Sequence, residues 1–280
     1  MQQWQRHFLD KHQLFDTYLS DAEAILYWLR KQLANRNTPY CFAINGAQGS
    51  GKSTLARYIT RFLCHEGYKA DHVSLDDFYL SQKERRLLAE QYHALFVTRG
   101  VPGTHNVAHA KQVIEHFKKQ LPITLPRFDK GLDEPSAKHN WHQHSQPLNV
   151  LIFEGWCVGL APQLSDQLIT PINEFEQLQD KDGQFRGLVN QFLKDQYQTL
   201  FAQLDGLIYL DIGSFERVYR WRLQQEQQLK ARTGQGMSGQ QVKTFIQFFQ
   251  RLTMHGLASL PNRADLHVKV ASDHRFILEK

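Results

Sequence analysis

Tyr40-Cys-Phe-Ala-Ile44-Asn-Gly46-Ala-Gln-Gly49-Ser-Gly51-Lys52-Ser53-Thr54 joins an apolar, aromatic-rich run to a glycine-rich loop. The run Tyr40–Ile44 reads as a buried strand, and a helix is expected from Lys52 to about Cys64. Gly46 to Ser53 fits the spacing G-x-x-x-x-G-K-[ST]. Glycines let the backbone turn back so that several N–H groups point at one phosphate chain. The helix that follows presents its positive end to the same anion. Gly46, Ala47, Gln48, Gly49, Ser50, Gly51, Lys52, Ser53 and Thr54 are therefore the candidate ATP cradle. Within it Lys52 reaches the β and γ phosphates, and the Ser53 hydroxyl binds Mg²⁺.

Outward from this loop, short apolar runs alternate with helical patterns. Residues 1–37 read as a helical extension, with Leu14, Phe15, Tyr18, Leu19, Ala22, Ile25, Leu26 and Leu29 at helical spacing. Further strands are expected at His72–Leu75, Leu148–Phe153, Leu207–Asp211 and Leu266–Val270. Helices are expected at Ser81–Leu95, Val107–Gln120, 186–203, Ser214–Arg232 and Gly239–His255. Residues 126–147 and 161–184 read as polar connections. The alternation implies a parallel sheet covered by helices on both faces.

Composition excludes several classes. Of 280 residues, 41% are hydrophobic, which rules out a disordered or collagenous chain. No apolar run reaches the ~18 residues that a membrane helix needs, and Met1–His7 opens no signal core. Three cysteines, Cys41, Cys64 and Cys157, are odd in number and widely spaced, so the expectation is a reduced, cytoplasmic protein. A net charge of +5 suits a small anionic ligand and is too weak and interspersed to argue for nucleic acid. Oligomeric state is not readable.

Ligands in an open α/β sheet sit beyond the carboxyl ends of the strands. Asp76 and Asp77 lie there, after the second strand. One such carboxylate can take a hydroxyl proton during phosphoryl transfer, and another can hold Mg²⁺ or its waters. We assign the base to Asp76. Glu154, at the end of the third strand, joins Ser53 and Asp76 as a candidate metal ligand. A helix cap, a turn pair or a solvated strand-end acid is the plainer account of these carboxylates. Tyr79 follows directly, Arg99 and His105 flank a flexible turn that could grip a carboxylate, and Arg127 sits with Lys130 in a polar loop. These, with Asp77 and Arg222, are the candidate acceptor contacts.

Arg217, Arg220 and Arg222 share one helix in the segment 214–240, which reads as a lid. Guanidinium forks suit phosphate oxygens, and Arg220 is the candidate that stabilises the moving phosphoryl group; an ordinary basic face is the plainer alternative. His139, His142 and His144 have no Cys or acidic partner at matching spacing and are expected to be structural or solvated. Phe245, Phe248, Phe249 and Leu252 have the spacing of a packed helix face.

With these residues together, the sequence resembles the D-glycerate 3-kinase family, within the uridine kinase and phosphoribulokinase branch of phosphate-loop kinases. The resemblance is carried by Gly46–Thr54, Ser74–Leu80, Arg99–Asn106, Leu125–Lys130, Phe153–Trp156 and Tyr219–Gln224, from about residue 40 onward. It implies a three-layer α/β/α P-loop NTPase fold in one kinase domain, with a five-stranded parallel sheet in the order 2-3-1-4-5 and a helical lid. It also implies transfer from ATP to a hydroxyl of D-glycerate. Asp76 stands at the place of the branch's base, and Arg220 and Arg222 at the place of its lid arginines. Asn106 stands where relatives often carry Asp. A nucleoside, pantothenate or sugar phosphate is the alternative acceptor. A switch GTPase is disfavoured because Asn262-Arg-Ala-Asp265 has Arg where N-K-x-D has Lys.

Overall fold

The computed structural model describes residues 1–234 and 236–278, so Gln235 of the expected lid lies outside the described residues. In chain order the elements begin with α1 (Gln3–His12), α2 (Thr17–Leu33), β1 (Tyr40–Gly46), α3 (Lys52–His65) and β2 (Ala70–Ser74). Then come α4 (Gln82–Gln91), α5 (Val107–Lys118) and four short strands: β3 (Ile123–Leu125), β4 (Phe128–Asp129), β5 (Glu134–Pro135) and β6 (His142–His144). After them follow β7 (Val150–Gly155), α6 (Glu174–Gln179), α7 (Gln184–Phe192), α8 (Gln198–Phe201) and β8 (Gly206–Asp211). The chain closes with α9 (Phe215–Thr233), α10 (Gly239–Ser259), β9 (Leu266–Val270) and β10 (Phe276–Ile277).

The main sheet runs β10-β9-β8-β1-β7-β2. Its five long strands are parallel in the expected 2-3-1-4-5 order. The sixth, β10, is antiparallel to β9 and was not foreseen, because two residues carry no readable period. All seven residues of β1 are buried, and their side chains alternate between two cores. Cys41 and Ala43 enter one core with α5, α7 and part of α10. Tyr40, Phe42 and Ile44 enter the other with α2, α3 and α9. That is the three-layer P-loop NTPase arrangement, and it explains why the central strand is continuously apolar.

The segment expected to be a plain polar loop, 126–147, instead carries the hairpin of β4 with β5 and the strand β6, which pairs with β3 just ahead of the segment. The second strand ends at Ser74, one residue earlier than expected, and Leu75–Phe78 forms a single 3₁₀ turn. The phenylalanine stripe packs as expected: Phe249 and Leu252 are buried in the core, with Phe245 and Phe248 against it. No helix among the described residues is long and apolar enough to cross a membrane.

Candidate active site

The loop between β1 and α3 turns on Gly49 and Gly51, both in the left-handed region with φ of 84° and 86°. A side chain at Gly49 would also meet Trp221 of α9 at 2.8 Å. Gly51 is the N-cap of α3, so the free amides of that helix and its positive end point into the loop. Parallel pairing sets Ile44 of β1 opposite Glu154 of β7. From there Glu154 reaches Ser53, whose Oγ donates to Oε1 at 2.6 Å. Glu154 is buried, and its Oε2 has no hydrogen-bond partner among the described residues. A buried carboxylate oxygen left open beside a hydroxyl is a donor set for a hard divalent cation.

Across the cleft stands Asp76, on the 3₁₀ turn after β2. Tyr79 Oη donates to Oδ1 at 3.0 Å, and Lys130 Nζ to Oδ2 at 2.6 Å. Burial raises the Asp76 pKa, but Lys130 and Lys52 outweigh it, and the carboxyl is held down at about 2. Lys130 is drawn the other way: partial loss of water around its ammonium opposes the charge, but Asp76 outweighs that and raises its pKa. Tyr79 is itself fixed, buried and stacked on His105 with ring centroids 4.4 Å apart.

Asp76 and its neighbour differ sharply. Asp77 Oδ2 accepts from the Ser74 amide at 3.0 Å, and Oδ1 from the Phe128 amide at 3.3 Å. It thus closes a capping box on the 3₁₀ turn and pins the loop that carries Lys130. Burial raises its pKa despite Arg127.

One cleft of about 1360 Å³ contains Gln48–Thr54, Asp76, Tyr79, Arg99, Lys130, Asp133 and Arg222. Single-ligand pockets are usually ~300–1,000 Å³, so two substrates fit side by side. Asp76 lines the flank built from residues 97–99 and 130–133. The loop before α2 and the Ser272–Phe276 turn also line the cleft.

The cleft therefore brings together Lys52, Ser53, Asp76, Tyr79, Arg99 and Arg222. Its lining does not include Gly46, Ala47, Asp77, His105, Arg127 or Arg220, nor Glu154, which is buried behind Ser53. Arg127 donates to the carbonyls of Pro126 and His72 at 2.8 and 3.3 Å and is consumed in holding its loop. His105 is buried behind Tyr79, with Nδ1 2.7 Å from Tyr197 Oη. Arg220 is exposed on α9, whereas Arg222 bonds Glu226 and lies over the Phe245 ring at 5.5 Å. Two residues along a helix turn about 200°, so the pair cannot share a face. Arg99 is engaged by Asp133, which also takes Arg85 at 2.5 Å. His142 and His144 do find an acid: both lie within 3.0 Å of the buried Asp71, which β2 brings alongside β6. Arg127 also contacts His142 at 2.8 Å. Among the described residues no group of three or more His, Cys, Asp and Glu is arranged to hold a metal ion.

Comparison with known proteins follows the same lines. The chain is 34% identical over 255 residues to Uncharacterized kinase mug58 of Schizosaccharomyces pombe, covering 88% of this chain and 91% of that one. Chloroplastic D-glycerate 3-kinase of Arabidopsis thaliana is 26% identical over 241 residues, 79% of this chain and half of that one. The chain belongs to the D-glycerate 3-kinase family. The solved D-glycerate 3-kinase of Cryptococcus neoformans superposes with a TM-score of 0.74 at 25% identity, covering 94% of this chain and 98% of that one. No family model matches. As a member of this family the chain is an ATP-dependent kinase that transfers phosphate to an alcohol group of a small molecule.

Proposed function

We propose that this kinase phosphorylates a hydroxyl of D-glycerate, or of a closely similar small hydroxy-carboxylate, with Mg²⁺. The observation that carries this is the pairing of Asp76 with Lys130 at 2.6 Å in the cleft of the phosphate loop. A proton acceptor stands next to a cation that can hold an acceptor's carboxylate. The family relatives named for D-glycerate support the same acceptor.

Lys52 and the loop amides hold the β and γ phosphates of ATP. Ser53 and Glu154 are the residues that would hold the metal; bound there, it neutralises charge on the phosphate oxygens. Asp76 is the proton acceptor, and to join the metal set as well it would have to release one of the donors its oxygens now carry. The acceptor oxygen attacks the γ phosphorus, its proton passes to Asp76, and the bond to the β,γ-bridging oxygen breaks with its electron pair leaving on ADP. Arg222 faces the phosphates from α9. Arg99 and Tyr79 shape the acceptor side, and closure of α9 over the cleft excludes water. The three cysteines stand free, which suits a reducing, cytoplasmic setting.

A panel of D-glycerate, other hydroxy acids, nucleosides, pantothenate and sugar phosphates, scored for acceptor-dependent ADP release, tests the proposal. D-glycerate or a near analogue should give the highest kcat/KM. Release stimulated only by nucleosides or neutral polyols overturns the acceptor assignment.

A further inference from the structure

Asp76 has two oxygens, and both are occupied: Oδ1 by the Tyr79 hydroxyl at 3.0 Å and Oδ2 by the Lys130 ammonium at 2.6 Å. Each oxygen keeps a second lone pair, but an ammonium 2.6 Å from Oδ2 sets a positive charge against a proton arriving there and crowds that oxygen. The two donors are held very differently. Tyr79 is buried, stacked on His105 at 4.4 Å and set edge-on to Phe128 at 5.4 Å. Lys130 has a side chain 61% exposed, on a flexible four-carbon stem. Its backbone is the fixed part: the Lys130 carbonyl accepts from Arg99 Nη2 at 3.3 Å, and Arg99 is tied to Asp133. Anchored main chain and free ammonium together make Lys130 the donor that can leave.

We infer that Lys130 is a gate on the base: without acceptor its ammonium covers Asp76 Oδ2, and the anionic group of the arriving acceptor draws it away. This rests on the proposed reading of Asp76 as the base. The same ammonium then holds the acceptor's carboxylate, while the uncovered Oδ2 receives the hydroxyl proton. A neutral alcohol, or water, brings no charge to move Lys130, so it meets a covered base. Hydrolysis of ATP by water needs the proton acceptor that transfer needs, with water's oxygen forming the new bond to phosphorus and ADP leaving. The gate therefore suppresses wasteful hydrolysis in the open cleft before any lid closes, and it selects acceptors by charge as well as shape.

The test is Lys130→Met beside Lys130→Arg, with three readouts: ATP hydrolysis without acceptor, KM for the best acceptor, and kcat at saturation. Lys130→Met should raise acceptor-free hydrolysis about tenfold and KM at least tenfold, with kcat falling less than KM rises. Lys130→Arg should restore low hydrolysis and most of the affinity, since its fork spans the same two carboxylates. An unchanged melting temperature identifies these effects as local, as expected for an exposed side chain. Hydrolysis that stays at the parent level in Lys130→Met overturns the gate, whether or not KM rises. So does an arginine variant indistinguishable from methionine. The hydrolysis readout needs no acceptor, so it stands or falls separately from the choice of D-glycerate. Asp76→Asn in the Lys130→Met background separates the other premise. If hydrolysis rises in Lys130→Met and persists there, water is activated by a group other than Asp76 and the base assignment fails.

Discussion

The two flanks of the cleft are built on different principles. The phosphate side is main chain: two left-handed glycines and a helix N-terminus over nine consecutive residues, with Lys52 as the one charged side chain. The acceptor side is side chains from distant segments, Asp76, Tyr79, Arg99, Lys130 and Asp133, held by ion pairs. Backbone amides recognise any polyphosphate, which is why so many activities share that loop. Substitutions on the first flank should erase transfer altogether, whereas those on the second should retune it.

Lys52→Ala sharpens the contrast most. It should lower kcat by about 10³- to 10⁵-fold, the range associated with a cation that stabilises transferring phosphate. Single-turnover transfer from labelled ATP checks this, and transfer within tenfold of the parent would remove Lys52 from the mechanism. Asp76→Asn comes next. It keeps the shape and removes the proton acceptor, so kcat should fall about 10²- to 10⁴-fold while nucleotide affinity by calorimetry stays within a few-fold. Parent-level turnover would take the base away from residue 76.

How much of this was readable beforehand follows the same division. The phosphate loop, the five strands and their order rest on local spacing and on strand ends, which a sequence displays. Asp76 and Asp77 were visible as a pair, but nothing in a dipeptide tells which carboxylate turns inward. Asp76 was assigned as the base from the sequence; what only the structure displays is that the Ser74 and Phe128 amides capture Asp77. Lys130 was legible only as one basic group in a polar loop, because its partner lies 54 residues earlier and no periodicity connects them. The same holds for Asp71 with His142 and His144, more than 70 residues apart. Asp133 and the β10 edge strand left no signal of their own. A lid arginine was expected; helical phase, not residue type, puts Arg222 in the cleft lining and leaves Arg220 exposed in this structure.

The wall also has a foundation that should respond to pH. Burial depresses the His105 pKa to about 4 from an ordinary value near 6.5, although Asp76 opposes it. Between those values the unfolded chain binds a proton that the folded chain refuses. The contribution is therefore complete above pH 6.5 and is lost as pH falls toward 4. Its full size is about 3 kcal/mol. Urea unfolding at pH 7 and pH 4 should show His105→Gln losing less stability on acidification than the parent, by about that amount. Equal losses would mean that the imidazole is not held neutral behind Tyr79.

The smallest expected effect tests whether α9 belongs to the phosphate side at all. Arg222 lines the cleft with its Nε buried and unpartnered among the described residues, while Arg220 points to solvent from the same helix. Truncating Arg222 would strand the buried Glu226, which also accepts from the Met237 amide at 2.9 Å, so lysine is the cleaner replacement. Arg222→Lys keeps the charge and loses the fork, and should raise KM for ATP about three- to tenfold, the loss of one charge-assisted hydrogen bond. Arg220→Lys should leave KM within twofold, as exposed charges commonly do. Equal effects at the two positions would mean that α9 turns on closure and presents a different face. An effect at Arg220 alone would return the catalytic arginine to that position and place the closed lid about half a helical turn from where this structure holds it.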